Sequence, residues 1–301
     1  MKTVPNANDD SRPTQARAAV QTYAAIAGVL LLVSFVAGGF GEAYVPSKLI
    51  VSADATATAE NIRASVPLFR LGFAGYLVEA VCDIALTLIF YVLLRPVSKD
   101  LALLAVFFGL VGTAIFGGAE LFYFAASLVL GGAGYLKSFS PDQLNTLALL
   151  FLKLYGYGGG LFTVFYGVSW IIRGYLIFRS GYLPKLLGVL LTIGGLGFVA
   201  RNFALVLAPA YPSGKLLLLL LPGALLLAVW LLIRGVNVAK WEAKPRPPRQ
   251  APLGLQRNNG CIVAWKQDQG RASCNPGSCF WCRASWSSAG GIARFSQDEQ
   301  S

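Results

Sequence analysis

The sequence contains no histidine among its 301 residues. This absence excludes haem held by histidine, zinc or copper sites with imidazole ligands, and catalytic pairs in which histidine activates a nucleophile. Charged residues are also scarce, at 13% against about 25% in a typical soluble domain, while 55% of the residues are hydrophobic. The chain is therefore expected to lie in a membrane. We see no nucleophile motif and no metal-ligand spacing in its apolar runs, so no cofactor is expected and catalysis is the least favoured function.

Six apolar runs are long enough to cross a bilayer, since a hydrocarbon core of about 30 Å requires about 20 helical residues. The predicted spans are residues 19–40, 69–94, 101–131, 147–172, 185–209 and 216–234. Turn-forming sequences such as RPVSKD and FRSGYLPK separate neighbouring runs. The predicted fold is an all-α polytopic membrane protein, a bundle of six transmembrane helices over residues 18–242.

Residues 1–17 form a polar leader that contains both acidic and basic side chains. The apolar run that follows is longer than the usual core of a cleaved signal peptide, about 7 to 15 residues. We therefore expect a retained first span. Residues 41–68 are expected to form an outer loop, in which VSADATATAENIRAS predicts a short helix capped by Ser52 or Asp54. That helix would be either a connector or a lid.

Basic residues are distributed unevenly between the two sides of this six-span arrangement. With the N-terminus inside, thirteen fall on the inner side and five on the outer side. The thirteen are Lys2, Arg12, Arg17, Arg95, Lys99, Arg173, Arg179, Lys185, Arg234, Lys240, Lys244, Arg246 and Arg249, and the five are Lys48, Arg63, Arg70, Lys137 and Lys215. The positive-inside rule therefore predicts that both termini are cytoplasmic.

Two long stretches, YVPSKLIVSADATATAENIRAS and DIALTLIFYVLLRPVSKDLALLAV, and the closing RGVNVAKWE carry a resemblance to a known family. Over roughly residues 17–242 the chain resembles a bacterial six-span family catalogued as domain of unknown function 4386. The resemblance implies an all-helical protein of the bacterial inner membrane. It implies no reaction and supplies no catalytic residue.

The tail, residues 243–301, begins with the basic stretch KPRPPRQAP and then becomes polar and irregular. A disordered cytoplasmic tail is expected, although an altered reading frame would look the same. It holds four of the five cysteines, and only Cys279 and Cys282 have C-x-x-C spacing. A zinc module normally has two such pairs, so Cys274, Cys279 and Cys282 are a weak candidate for a metal site.

Ionisable residues within the predicted spans are the main functional signal, because a charge in lipid is costly. Glu79 and Asp83 are one helical turn apart and so lie on the same helix face. The full set of candidate ligand-binding residues is Glu79, Asp83, Glu120, Lys153, Arg201 and Asn202. Helical rise places them in the outer half of the membrane. Three acids against two bases leave one carboxylate that can stay protonated or bind a cation.

Two classes of function follow from this cluster. The first is a carrier or receptor for a small solute, a cation or a lipid, with the polar residues as its lining. The alternative is a non-catalytic partner or sensor subunit whose intramembrane ion pairs are structural, and Lys153 and Arg201 are near enough to the interface to snorkel. The stretch YGYGGGLFTVFYG in the fourth span indicates close helix packing, or else a bent helix lining a cavity. No nucleic-acid partner is expected.

Overall fold

A computed structural model of the protein describes residues 11–208 and 218–244, and three strands at 254–258, 261–266 and 271–273. Residues 1–245 and 246–301 are two separate compact units. The helices of the first unit are α1 (Ser11–Gly38), α2 (Val45–Leu49), α3 (Ala55–Ala64), α4 (Val66–Leu94), α5 (Lys99–Leu130), α6 (Pro141–Ser180), α7 (Lys185–Leu207), α8 (Leu220–Ile233) and α9 (Val238–Glu242). A π-helical segment, Gly39–Tyr44, joins α1 to α2, and a 3₁₀ turn, Gly134–Leu136, precedes α6.

Five of these helical stretches are long and apolar enough to cross a membrane. They are Arg17–Leu49, Val66–Leu94, Lys99–Leu130, Pro141–Ser180 and Lys185–Leu207. The predicted all-helical membrane bundle is therefore confirmed. The sixth crossing stays a prediction, because α8 has 14 described residues, about 21 Å of helix, and the predicted span begins outside the described residues.

The ends of the helices follow from local capping chemistry. Ser98 accepts a hydrogen bond from the Leu101 amide at the start of α5, and Ser140 forms a reciprocal capping box with Gln143 at the start of α6. Gly181 ends α6 with a φ of 74°, a conformation that glycine adopts without a Cβ penalty. These ends lie in the turn-forming sequences that separated the predicted spans.

The long helices pack as a ring in chain order. α1 contacts α4, which contacts α5, and the series continues through α6 and α7 to α8, which returns to α1. A closed ring gives every member one face toward a shared interior. Polar side chains on several helices can therefore meet at the centre of the bundle.

Glycines set the close contact between α6 and α7. A Cβ on Gly167 would lie 2.7 Å from the carbonyl oxygen of Gly195, and one on Gly174 would lie 2.7 Å from that of Gly188. The two pairs are seven residues apart on both helices, so they stack along one antiparallel seam. This seam supports the close-packing interpretation of the glycines in the fourth span.

Side-chain hydrogen bonds stabilise the end of the bundle at which α4 terminates. The Leu93 carbonyl accepts hydrogen bonds from the Tyr182 hydroxyl at 2.6 Å and the Trp241 indole N–H at 3.0 Å. The last four carbonyls of a helix have no intrahelical partner, and Leu93 is among the last four residues of α4. The two side-chain donors supply the hydrogen bonds that the helix itself does not. Burial raises the pKa of Tyr182, so its hydroxyl stays a donor at neutral pH. At the same end, Arg17 pairs with Glu242 at 3.1 Å.

Two predicted boundaries need correction. The first span continues through the π-helical segment to Leu49, rather than ending at residue 40, and so takes Glu42 into the bundle. The fourth span extends to Ser180, which moves Arg173 from the predicted inner loop into the bundle interior. The loop helix itself is present as α3, and its cap is Asp54, which accepts from the Ala57 amide at 2.9 Å.

The second unit contains three short strands that the sequence did not predict: β1 (Gly254–Asn258), β2 (Cys261–Lys266) and β3 (Arg271–Ser273). They form an antiparallel sheet in the order β1-β2-β3, with Asn258 paired to Cys261. Cys274, Cys279 and Cys282, the weak metal candidate, lie outside the described residues. So does the rest of the predicted disordered tail beyond residue 273.

Candidate functional site

Four carboxylates approach one another from three elements of the bundle, the π-helical segment, α4 and α5. Glu79 lies within electrostatic range of Glu42 on the π-helical segment, Asp83 on α4 and Glu120 on α5. Glu120 is in turn within range of Glu42. We call Glu42, Glu79, Asp83 and Glu120 the carboxylate cluster. Like charges at such range repel, so the cluster favours either protonation of a carboxylate or the entry of a positively charged group.

Glu120 is the member of the cluster whose burial is least compensated by hydrogen bonds. Its side chain is 3% exposed, and neither carboxylate oxygen has a hydrogen-bond partner among the described residues. A carboxylate accepts up to four hydrogen bonds, and leaving a buried acceptor unsatisfied costs about 1–3 kcal/mol, more for a charged group. The fold therefore places an acceptor here without supplying a donor for it.

Nearby tyrosines do not supply that donor, because their protons are used elsewhere. The Tyr155 hydroxyl donates to the Tyr76 hydroxyl at 2.7 Å, and Tyr76 donates to the Gly41 carbonyl at 2.7 Å. A tyrosine has a single O–H proton. Both tyrosines lie within electrostatic range of Glu120, but each hydroxyl already donates its proton to another acceptor.

Tyr123, on the same helix as Glu120, also donates its hydroxyl proton to an acceptor other than Glu120. Its hydroxyl donates to the Phe69 carbonyl at 3.2 Å, while its ring stacks on that of Phe69 with centroids 4.1 Å apart. The ring packing fixes the hydroxyl against α4. Three tyrosines thus lie within electrostatic range of Glu120, and each already donates its hydroxyl proton to another acceptor.

Glu79 shares part of this unsatisfied character. Its Oε2 atom is buried and has no hydrogen-bond partner among the described residues. The carboxylate lies against Gly38, where an added Cβ would be 2.5 Å from Oε2. Any larger residue at position 38 would displace the carboxylate, so α1 contributes a space for Glu79 rather than a ligand.

Asp83 differs because it has partners on two other helices. It is 3% exposed, accepts a hydrogen bond from Ser34 on α1 at 3.3 Å, and accepts another from Tyr166 on α6. A buried carboxylate with two donors ties its helices together. Asp83 is therefore the satisfied member of the cluster.

Arg173 is a buried cation that sequence reasoning missed. It is 2% exposed, donates from Nη2 to Thr87 at 2.9 Å, and stacks against Phe90 and Trp170 at 5.2 and 5.3 Å from the ring centroids. Asp83 lies within electrostatic range of it. The sequence feature that could have identified Arg173 as a buried residue is the apolar sequence on both sides, WII before the arginine and GYLIF after it.

Glu42 was missed for a similar reason, since its span was predicted to end two residues earlier. It is exposed, in contrast to Glu120, so the cluster extends from the buried interior to the protein surface. Arg201 on α7 is half-buried and lies within electrostatic range of Glu42. Among the described residues, the single ion pair within 4.0 Å joins Arg17 and Glu242, so Arg201 does not neutralise Glu42 by direct contact.

The other two predicted site residues lie apart from the carboxylates. Asn202 packs on Gly160, where an added Cβ would be 2.7 Å from its Oδ1 atom, so its place is in the seam between α6 and α7. Lys153 is exposed on α6. The structure therefore brings together Glu79, Asp83, Glu120 and Arg201, and adds Glu42 to them.

The cluster lacks the arrangement of a metal centre. In the described part of the chain, no group of three or more histidine, cysteine or acidic side chains is placed to hold a metal ion. Its carboxylates are close enough to repel one another, but no three of them are placed to hold one ion. What the arrangement can do is attract positive charge and accept hydrogen bonds.

The family model described as "Domain of unknown function (DUF4386)" matches residues 26–235, a range that includes every residue of the carboxylate cluster. An uncharacterized protein of Archaeoglobus fulgidus is 26% identical over 172 residues, which is 57% of this chain and 88% of that protein. No solved structure matches the chain.

Proposed function

The chain belongs to the DUF4386 family and is an integral membrane protein, and we propose that it binds a small cationic solute at the carboxylate cluster. The observation that carries this proposal is the pair of orphaned oxygens on buried Glu120. An acceptor kept unsatisfied costs stability, and such costs concentrate at functional sites. A cation would supply both the charge and the contacts that the fold withholds.

The balance of charge at the cluster also supports a cation. Four carboxylates approach one another, and the described cations in range are Arg201 beside Glu42 and Arg173 beside Asp83. Both arginines are within electrostatic range of carboxylates other than Glu79 and Glu120. A positively charged solute would balance those two acids in a medium of low dielectric, where an unpaired carboxylate is most costly.

The depth of the cluster supports uptake or sensing within the bilayer rather than binding at its surface. Glu120 lies ten residues before the end of α5, about 15 Å along the helix. Glu79 lies thirteen residues after the start of α4, about 20 Å. Glu42, which is exposed, lies within electrostatic range of both residues.

We further propose that the protein lies in the bacterial inner membrane with both termini in the cytoplasm. Moving Arg173 into the interior changes the count of basic residues to twelve against five, which still satisfies the positive-inside rule. In this orientation the carboxylate cluster lies in the outer half of the membrane. The solute would then arrive from outside the cell.

Accessibility to a polar thiol reagent tests whether the cluster is a binding site reached from water. The background has all five native cysteines replaced, and single cysteines are placed by Glu79→Cys, Glu120→Cys and Arg201→Cys. We expect reaction with a charged methanethiosulfonate added outside. The control is Thr113→Cys, also buried on α5 but two turns from Glu120, which should stay unreactive.

If all three cysteines stay unlabelled in folded protein, the cluster is sealed from water and the binding proposal is wrong. The carboxylates would then be structural groups of a partner or sensor subunit. Folding of each variant is checked by gel filtration before labelling, so that a lack of reaction is not confused with aggregation.

A further inference from the structure

We infer that the carboxylate cluster recognises a primary ammonium group, so the solute is a small organic amine rather than a metal ion or a quaternary ammonium. The inference rests on the proposed function and names its substrate class. It depends on how many hydrogen-bond acceptors the site leaves unsatisfied, and on which donors the surrounding residues still have.

Three buried oxygen atoms are unsatisfied in the described part of the protein. They are Oε2 of Glu79 and both carboxylate oxygens of Glu120, and the two carboxylates lie within electrostatic range of each other. The other buried side-chain atoms without a partner are indole N–H donors, on Trp170 and Trp230. With its acids ionised, the cluster therefore has unsatisfied acceptors and no matching donor among the described residues.

The residues around Glu120 cannot correct this deficiency. Tyr155 donates to Tyr76, Tyr76 to the Gly41 carbonyl and Tyr123 to the Phe69 carbonyl. A ligand that satisfies three acceptors must bring its own N–H or O–H groups. A primary ammonium carries one positive charge and three N–H donors, as the lysine side chain does.

Other cations fit this pattern less well. A quaternary ammonium brings charge and no donor, so all three oxygens would remain without hydrogen bonds. A metal ion requires several ligands converging on one point, and no such group exists among the described acidic, cysteine or histidine side chains. Donor number therefore separates the primary ammonium from both alternatives.

The aromatic surface beside Glu120 suits the hydrocarbon part of an amine. The Tyr76 ring meets those of Phe116, Tyr123 and Tyr155 with centroids 5.8, 5.3 and 5.7 Å apart. Such rings pack against alkyl groups and attract cations through their faces. Tyr76, Tyr123 and Phe116 are at most 2% exposed, so among these rings the half-buried Tyr155 is the one that leaves surface for the carbon chain of the amine.

Isothermal titration of the purified full-length protein with isomeric amines tests the inference. Propylammonium and trimethylammonium have the same formula and charge, but three and one N–H donors respectively. Tetramethylammonium has none, and sodium is the inorganic control, with all four added as chlorides at equal ionic strength. We expect propylammonium to bind about tenfold or more tightly than trimethylammonium, because it can donate two more hydrogen bonds to the carboxylates, and tetramethylammonium to bind weakest of the three.

Variants connect that preference to the two acids. Glu120→Gln and Glu79→Gln should each weaken propylammonium binding at least tenfold, whereas Glu60→Gln, an exposed acid on α3, should leave it unchanged. The isomer comparison uses the wild type alone, so it remains decisive if one variant folds poorly.

Equal binding of the isomers, or tighter binding of tetramethylammonium, would overturn the ammonium inference while leaving a cation site in place. Tightest binding by sodium would do the same and indicate an inorganic ion. If no cation binds the folded wild type, both the inference and the proposed function are wrong.

Discussion

At the scale of single residues, the acids of the cluster divide by their partners rather than by their charge. Asp83 accepts hydrogen bonds from Ser34 and Tyr166, whereas Glu120 accepts none from the residues that the structure describes. A satisfied carboxylate stabilises the fold and an orphaned one lowers its stability, so the two acids should respond oppositely to removal of their charge.

We predict that Glu120→Met raises the thermal unfolding midpoint of the ligand-free protein, because it removes an unsatisfied acceptor and keeps a similar volume. Asp83→Leu should lower it, at a cost of about 1–3 kcal/mol, because it leaves the Ser34 and Tyr166 donors unpaired and Arg173 without its nearby acid. Thermal unfolding in detergent, followed by tryptophan fluorescence, measures both. Equal destabilisation by the two substitutions would contradict this assignment.

The sequence identified Glu79, Asp83 and Glu120 because charge inside an apolar run is visible without a structure. It missed Glu42 and Arg173 because both lie at the margins of their runs, where an apolar window ends before the helix does. It could not separate Asp83 from Glu120 either. The partners of Asp83 come from two other helices, and only three-dimensional packing brings them together.

At the scale of elements, the seam between α6 and α7 depends on positions that admit no side chain. Gly167 and Gly195 approach so closely that a Cβ on either would lie less than 3 Å from the other's carbonyl oxygen. Backbone does not move as readily as a flexible side chain, so the two helices would have to separate.

We predict that Gly167→Ala destabilises the protein by about 1–3 kcal/mol, the usual cost of overpacking. The matched control is Gly159→Ala on the same helix, where an added Cβ would have no neighbour within 4 Å. That control should be neutral or stabilising by about 0.5–1 kcal/mol, because alanine favours the helix. Midpoints of unfolding for the two variants give the comparison, and an equal loss in both would show that the seam is not responsible.

The Leu93 carbonyl gives a second prediction at this scale. Tyr182→Phe and Trp241→Phe should each cost about 0.5–1.5 kcal/mol, since the other donor still satisfies the carbonyl. The double variant should cost more than the sum, because the buried carbonyl is then left with neither side-chain donor. Tyr135→Phe, on an exposed ring, is the control. Strict additivity in the double-mutant cycle would contradict the shared-acceptor account.

Helix ends were more predictable than helix lengths. Turn-forming sequences and capping residues such as Asp54 are local signals, and the structure uses them. The predicted fourth span, 147–172, is shorter than α6, which runs from Pro141 to Ser180. A hydropathy pattern identifies the part of a helix that contacts lipid or the protein core. The helix itself continues beyond that part through polar residues. Its 40 residues extend about 60 Å, twice the thickness of a hydrocarbon core.

At the scale of the whole molecule, the ring of helices has two dissimilar ends. The end near Leu93 is held by Tyr182, Trp241 and the Arg17–Glu242 ion pair. Toward the other end, the carboxylate cluster reaches the surface at Glu42. This asymmetry suits a site that is filled from one side of the membrane.

The proposed orientation predicts which side each end faces. In a cysteine-free background, Glu60→Cys on α3 should react with an impermeant maleimide in intact bacteria. Lys99→Cys, at the start of α5, should react only after the cells are made permeable. Both positions are exposed, so the comparison depends on sidedness rather than burial. The reverse pattern would invert the orientation and place the cluster in the inner half.

The all-helical bundle could be predicted from composition and apolar runs, because a membrane leaves few other ways to satisfy the backbone. The closed ring could not, since it depends on which faces pack together. The three strands after residue 253 were missed for a related reason. Short strands in a polar, irregular segment gave no alternating pattern strong enough to detect.

The most direct test of the central claim is the thermal unfolding midpoint of purified protein titrated with propylammonium chloride at pH 7, against sodium chloride at equal ionic strength. A solute that binds the folded state raises its stability in proportion to the logarithm of concentration once the site is filled. We predict this rise for wild type and Glu60→Gln, and for Glu120→Gln a rise that begins only at a concentration at least tenfold higher. An equal rise in Glu120→Gln, or none in the folded wild type, would contradict the assignment of Glu120 as the residue that binds the cation.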